Sequence, residues 1–184
     1  LVPGGGAGWQ WPADAAVKGE LRARLPRLGV WSLLAPPGWR LRGSLAADLQ
    51  LTGTRADPQL SGRFASDDLA LRSVVDGIAL QDGRLRARLE GRRLVLEELL
   101  LHGSGGAASG GTLRASGEAH WTPTGLQARA DARLERLRTL TRSDRQLTVS
   151  GQAQASTDGT ATRVAGELRV DRALIVLPEA SAPR

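Results

Sequence analysis

Residues 43–53 read Gly43-Ser44-Leu45-Ala46-Ala47-Asp48-Leu49-Gln50-Leu51-Thr52-Gly53. Leu45, Ala47, Leu49 and Leu51 alternate with Ser44, Asp48, Gln50 and Thr52. Apolar residues at every second position give a strand one oily face and one polar face. The alternation extends back through Trp39, Leu41 and Gly43, with Arg40 and Arg42 opposite, so one strand is predicted from Trp39 to Leu51. The same phrase returns as Gly83-Arg84-Leu85-Arg86-Ala87-Arg88-Leu89-Glu90-Gly91. It returns from Gly111 through Leu113, Ala115 and Gly117 to Ala119, and from Gly166 through Leu168 to Val170. These repeats predict one long amphipathic sheet, and its function turns on what the oily face covers.

Working outward, a first strand is predicted from Val17 to Leu25, stopped by Pro26, and Leu28–Leu34 has the pattern of one short helix ended by Pro36-Pro37-Gly38. Leu60, Gly62 and Phe64 resume the alternation after an Asp57-Pro58 turn. Short strands are predicted around Leu69–Leu71, Ile78–Leu80, Leu85–Leu89 and Leu94–Leu96, with a further one at Leu99-Leu100-Leu101. Turns are predicted at Asp67-Asp68, Asp76-Gly77, Asp82-Gly83 and Glu90-Gly91-Arg92. A glycine-rich loop fills 103–111. Strands then follow over 112–122, 125–135, 146–156 and 161–177. Leu126, Ala130, Leu134, Leu137 and Leu140 also fit a helical stripe, but strand neighbours favour a strand for 125–135. Turns about every ten residues fit an antiparallel meander. Residues 1–16 read as a linker, 17–179 as the folded domain and 180–184 as a tail.

Bulk composition removes whole classes of function. Cysteine is absent, so disulfides and thiolate metal sites are excluded. Methionine is absent too, and the chain is expected to be a segment of a longer protein. Its net charge is +6, but the arginines alternate with apolar residues, and aromatics make up only 3%, too few to stack bases. Nucleic acid is therefore not expected as a partner. With Lys18 the single lysine and Asn and Tyr missing, the arginines fit a GC-rich coding bias.

No catalytic constellation emerges, so the chain is not expected to be an enzyme. His102 and His120 are the only histidines, too few for a metal site without cysteines. Gly103–Gly111 lacks the Gly-Lys-Ser/Thr ending of a phosphate loop. No serine stands in a Gly-x-Ser-x-Gly elbow. A polysaccharide-cleaving solenoid would need clustered acids and aromatic platforms. Of the tryptophans at 9, 11, 31, 39 and 121, Trp9 and Trp11 are placed to pack over a sheet end or to touch a membrane or partner. No cofactor is expected.

From Leu51 to Gly62 the sequence follows Leu-x-Gly-Thr-x-x-x-Pro-x-Leu-x-Gly. Gly83-Arg84-Leu85, Gly111-Thr112-Leu113-x-Ala-x-Gly117, Leu147-Thr-Val-Ser-Gly151 and Gly166 through Pro178-Glu179 follow in order. This ordered set resembles the C-terminal domain of the TamB family, the translocation and assembly module proteins of Gram-negative bacteria. The resemblance covers residues 17–179. It implies an all-β fold, a curled antiparallel sheet (β-taco) with an apolar inner groove. It implies a periplasmic segment anchored in the inner membrane through an upstream segment. The implied partners are an Omp85-class outer-membrane protein such as TamA, and phospholipid or unfolded outer-membrane strands as cargo. The family supplies no catalytic residues.

The groove candidates are Leu45, Leu49, Leu85, Leu89, Leu113, Val149 and Leu168. An acyl chain of ~14 methylenes buried there gains roughly 11 kcal/mol gross, at about 0.8 kcal/mol per CH₂. The alternative is a scaffold that adds an edge strand to the partner's sheet. The long last strand, Val164 to Leu177, is the candidate donor, through Val164, Leu168 and Val170. An open oily groove also favours dimers of the isolated chain.

Overall fold

A computed structural model describes residues 2–3, 9–10, 12–29, 37–73, 75–139 and 145–175. Two short strands, β1 (Val2–Pro3) and β2 (Trp9–Gln10), pair with each other. The remaining strands form one antiparallel sheet: β3 (Gly19–Leu25), β4 (Trp39–Arg42), β5 (Leu45–Gly53), β6 (Pro58–Ser73), β7 (Ile78–Glu90), β8 (Arg93–His102), β9 (Thr112–Thr122), β10 (Gly125–Arg138), β11 (Arg145–Thr157) and β12 (Thr162–Ile175). The spatial order is β12-β11-β10-β9-β8-β7-β6-β5-β3, with β4 beside β5 along β6. From β5 to β12 neighbours in sequence are neighbours in space, which is the expected meander; β3 pairs with β5 and β4 with β6. The one α-helix among the described residues, α1 (Gly106–Ser109), sits in the glycine-rich loop. Of the predicted helix at Leu28–Leu34, only Leu28 and Gly29 fall within the described residues.

Among the described residues no second layer covers this sheet, yet Leu69, Leu80, Leu101, Leu137 and Val149 are buried on one face, with Leu28 laid over them. Leu101 and Leu137 are only 3% exposed. A flat single sheet leaves both faces wet, so burial this deep requires the sheet to curl onto its apolar face. The curl has identifiable devices. Pairing shifts register between Ser66 and Leu69 on β6, between Gln81 and Arg84 on β7, between Leu96 and Leu99 on β8 and between Leu134 and Leu137 on β10. Such bulges bend a strand and increase its twist. The buried leucines lie beyond them, where the bent arms fold together.

The bulges correct three expectations. Asp67-Asp68 and Asp82-Gly83 do not reverse the chain; they lie inside β6 and β7. Asp82 has φ 51°, so the local conformation is turn-like while the strand continues. The leucine pairs around these sites therefore belong to long strands, not to separate short ones. Conversely, the predicted strand from Trp39 to Leu51 is interrupted at Gly43-Ser44, where Gly43 has φ 117°. A Cβ on Gly43 would stand 2.6 Å from the Asp68 carbonyl oxygen. Gly83 faces the Leu69 carbonyl and Gly111 the Arg136 carbonyl in the same way. The repeated Gly-x-Leu thus admits a neighbour's bulge at the glycine and returns a leucine to the apolar face. The strand reading of 125–135 stands, and β10 runs on to Arg138.

Leu101→Ala is expected to cost about 2–5 kcal/mol, the range for a buried leucine that leaves a cavity. Leu126→Ala, at a position 39% exposed, is expected to cost far less. Urea unfolding of both variants checks this, and equal losses would contradict a core gathered beyond the bulges.

Candidate functional site

The apolar face is organised in rows that cross the strands. Register places Ala23, Ala47, Phe64, Ala87, Leu96, Gly117, Ala130, Ala155 and Val164 in one continuous row. The adjacent row holds Leu21, Leu49, Gly62, Leu89, Leu94, Ala119 and Ala128. Side chains in these rows are half-buried or exposed, apart from the buried Ala47 and Ala87, because they lie on the open side of the bulges.

All seven groove candidates fall on this one face, but they divide by depth. Val149 belongs to the buried cluster, and Leu45, Leu85 and Leu113 pack against it. Leu49 and Leu89 flank Gly62 in the open row. Leu168 is 61% exposed on the edge strand, beside Val164 at 74% and Val170 at 57%. The register adds Leu94, Leu96 and the alanines of β9 and β10 to the open face. Leu94 and Leu96 are out of phase in sequence with Leu99 and Leu101, and only the extra residue at Glu97-Glu98 returns all four to one side.

The other face is a lattice of exposed ion pairs. Arg93 donates to Glu118 at 2.7 Å; this hydrogen bond, and then the charge of Arg93, hold the Glu118 carboxyl below its usual range. The same contact raises Arg93. Exposed pairs of this kind are screened by solvent and contribute little stability individually. Other lowered carboxylates accept from backbone N–H or side-chain groups nearby. Asp158 is brought to about 2, first by the Ala161 N–H and then by the hydroxyl and N–H of Thr160, which closes the β11–β12 turn. Asp171 is lowered first by the Ser150 hydroxyl and then by Arg169. Asp68, at the bulge, is lowered first by the Ser44 N–H and then by the Ser44 hydroxyl, both at 2.8 Å.

His102 and His120 sit at opposite ends of the β8–β9 pair, opposite Thr112 and Arg93. That separates them by roughly 30 Å at the strand rise, so they share no ion. Trp121 is 47% exposed near the β9–β10 turn; Trp11, Trp31 and the side chain of Trp9 lie outside the described residues. Among the described residues no helix is long and apolar enough to cross a membrane.

A long curled antiparallel sheet, apolar on the inside and built from Gly-x-Leu repeats, is the arrangement the sequence resemblance implied. Residues 103–184 match the family model of the TamB C-terminal domain. Over those residues the chain is similar to the TamB family. The match starts at the glycine-rich loop and takes in β9 to β12; the Leu51–Gly62 pattern lies outside it, on the same sheet. No curated protein and no solved structure matches the chain. TamB proteins belong to the translocation and assembly module of the cell envelope, a system of outer-membrane assembly.

The Asp68 clasp has a defined pH dependence. Its folded pKa is depressed, so its contribution is complete above the ordinary carboxylate value and is lost as pH falls through the lower folded value. An NMR titration is expected to show Asp68 ionising below an unpaired aspartate, with the Ser44 amide losing exchange protection in step. Ordinary titration of Asp68 would contradict the clasp.

Proposed function

We propose that the open half of the apolar face carries the acyl chains of phospholipid, as one stretch of a conduit through the periplasm. The observation behind this reading is the pair of Leu, Ala and Gly rows across β5 to β10 that the curl leaves mostly open beside a closed leucine core. A lipid laid along these rows crosses strand after strand of Leu, Ala and Gly, and it meets no charged side chain on that face. Its gain per methylene is similar at each step, so it can slide without a deep trap. The closed core keeps the curl in shape, and the polar face keeps the segment wetted. In this reading the chain is a non-enzymatic part of a protein anchored in the inner membrane, and unfolded outer-membrane strands are a second cargo for the same surface.

Native mass spectrometry of the purified chain, followed by lipid extraction, is expected to find bound phospholipid. Leu49→Asp and Leu89→Asp are each expected to abolish it while circular dichroism keeps the strand signal. Lipid binding unchanged in both variants would sink the groove reading.

A second reading is favoured by β12. Residues 162–174 of this strand are all exposed, and the strand is 14 residues long. An open edge of that length can add to a partner's sheet, and an Omp85-class outer-membrane protein is the partner we infer. Val170→Pro removes one backbone donor in the middle of that edge. It is expected to weaken capture by such a partner and leave lipid binding intact; undiminished capture would count against strand addition.

A further inference from the structure

Arginine stands directly opposite arginine at three places on the polar face: Arg63 with Arg88, Arg114 with Arg133, and Arg40 with Arg72. Directly opposite side chains start roughly 5 Å apart at Cβ, and like charges there are destabilising. Two of the three pairs are neutralised from within the sheet. Arg88 lies 2.8 Å from Glu90, an ion pair without hydrogen-bond alignment, and 3.5 Å from Glu97, while Asp48 stands opposite Arg63 on its other side. Glu135 serves both Arg133, at 3.1 Å, and Arg114, at 3.6 Å.

The third pair has no such acid. Arg42 joins Arg40 and Arg72 on the same face, two positions along β4, and all three are exposed. Among the described residues no carboxylate forms an ion pair with any of them. The carboxylates of the adjoining strands are committed elsewhere: Asp48 to Arg22, Asp67 to Arg84 and Arg86, and Asp68 to Ser44. Asp76, in the β6–β7 turn, accepts from the Ser73 hydroxyl at 2.6 Å. The backbone under the cluster is held firmly. Leu41 and Leu71 face each other on the inner side and pack against the buried core, and Ser73 is 1% exposed.

We propose that Arg40, Arg42 and Arg72 form a binding site for a phosphate-type oxyanion, on the face opposite the groove. Guanidinium forks match phosphate oxygens two at a time. Three of them on a fixed strand pair would relieve their own repulsion by binding an anionic phosphate group. A free phosphate and a phospholipid head group present the same chemistry. The proposal does not depend on the groove, because none of the three side chains reaches the apolar face.

The test titrates the full 184-residue chain with inorganic phosphate at constant ionic strength and follows the arginine Nε–H signals by NMR. A parallel arm measures co-sedimentation with vesicles of phosphatidylcholine, with and without phosphatidylglycerol. Saturable shifts at Arg40, Arg42 and Arg72 support a free oxyanion. Sedimentation that requires phosphatidylglycerol and these arginines supports a head group. In either arm Arg40→Gln with Arg72→Gln is expected to weaken binding by at least about tenfold, since charge-assisted contacts are lost. Arg114→Gln with Arg133→Gln removes the same charge and is expected to change little. Equal loss in both double variants, equal shifts at all three pairs, or no saturation in either arm would overturn the site. The same spectra report that each variant is folded.

Discussion

A single sheet with one apolar face has only itself to cover that face. Everything else in this structure follows from how that constraint is met. Helices on the apolar face would be one solution, and a second sheet another. Neither is present among the described residues. The chain instead places bulges within β6, β7, β8 and β10 and bends those strands there, so that leucines beyond the bend bury one another. The rest of the face stays largely open, with its side chains half-buried or exposed. An open groove beside a closed core is thus one physical solution with two parts.

Much of this was legible in the sequence. Period-two alternation from Leu45 to Leu51 and from Leu85 to Leu89 fixed the strands and their apolar side, and short turns such as Glu90-Gly91-Arg92 fixed the antiparallel order. The bulges were not legible. Asp67-Asp68 and Asp82-Gly83 carry the same residues a chain reversal uses, because both need a turn-like backbone, and only pairing to both neighbours decides between them. The bulges also decided which candidates are covered. Leu49 and Val149 look equivalent by alternation, yet one lies before the bend line and the other beyond it. Depth depends on how distant strands curl together, and local periodicity holds no record of that.

The polar face follows a different logic. Its exposed ion pairs contribute little stability individually, but they balance charge where arginines are brought opposite one another. Glu135 between Arg114 and Arg133 shows the pattern completed, and Arg40 with Arg72 shows it left open. Sequence alone shows only an excess of arginine; the register turns that excess into three comparable pairs with different neighbours. The two faces then divide the chemistry of an amphiphile, one apolar and continuous, the other charged and proposed to hold an anion.

The central claim is that an acyl chain occupies the open rows of the apolar face. Paramagnetic broadening by a phospholipid spin-labelled on its acyl chain tests it most directly. The account predicts strong broadening at Leu89, Ala119 and Ala130, with Arg88, Glu118 and Arg129 on the opposite face broadened much less. Broadening that is uniform across both faces, or that is confined to the exposed edge at Val164 and Val170, would contradict it.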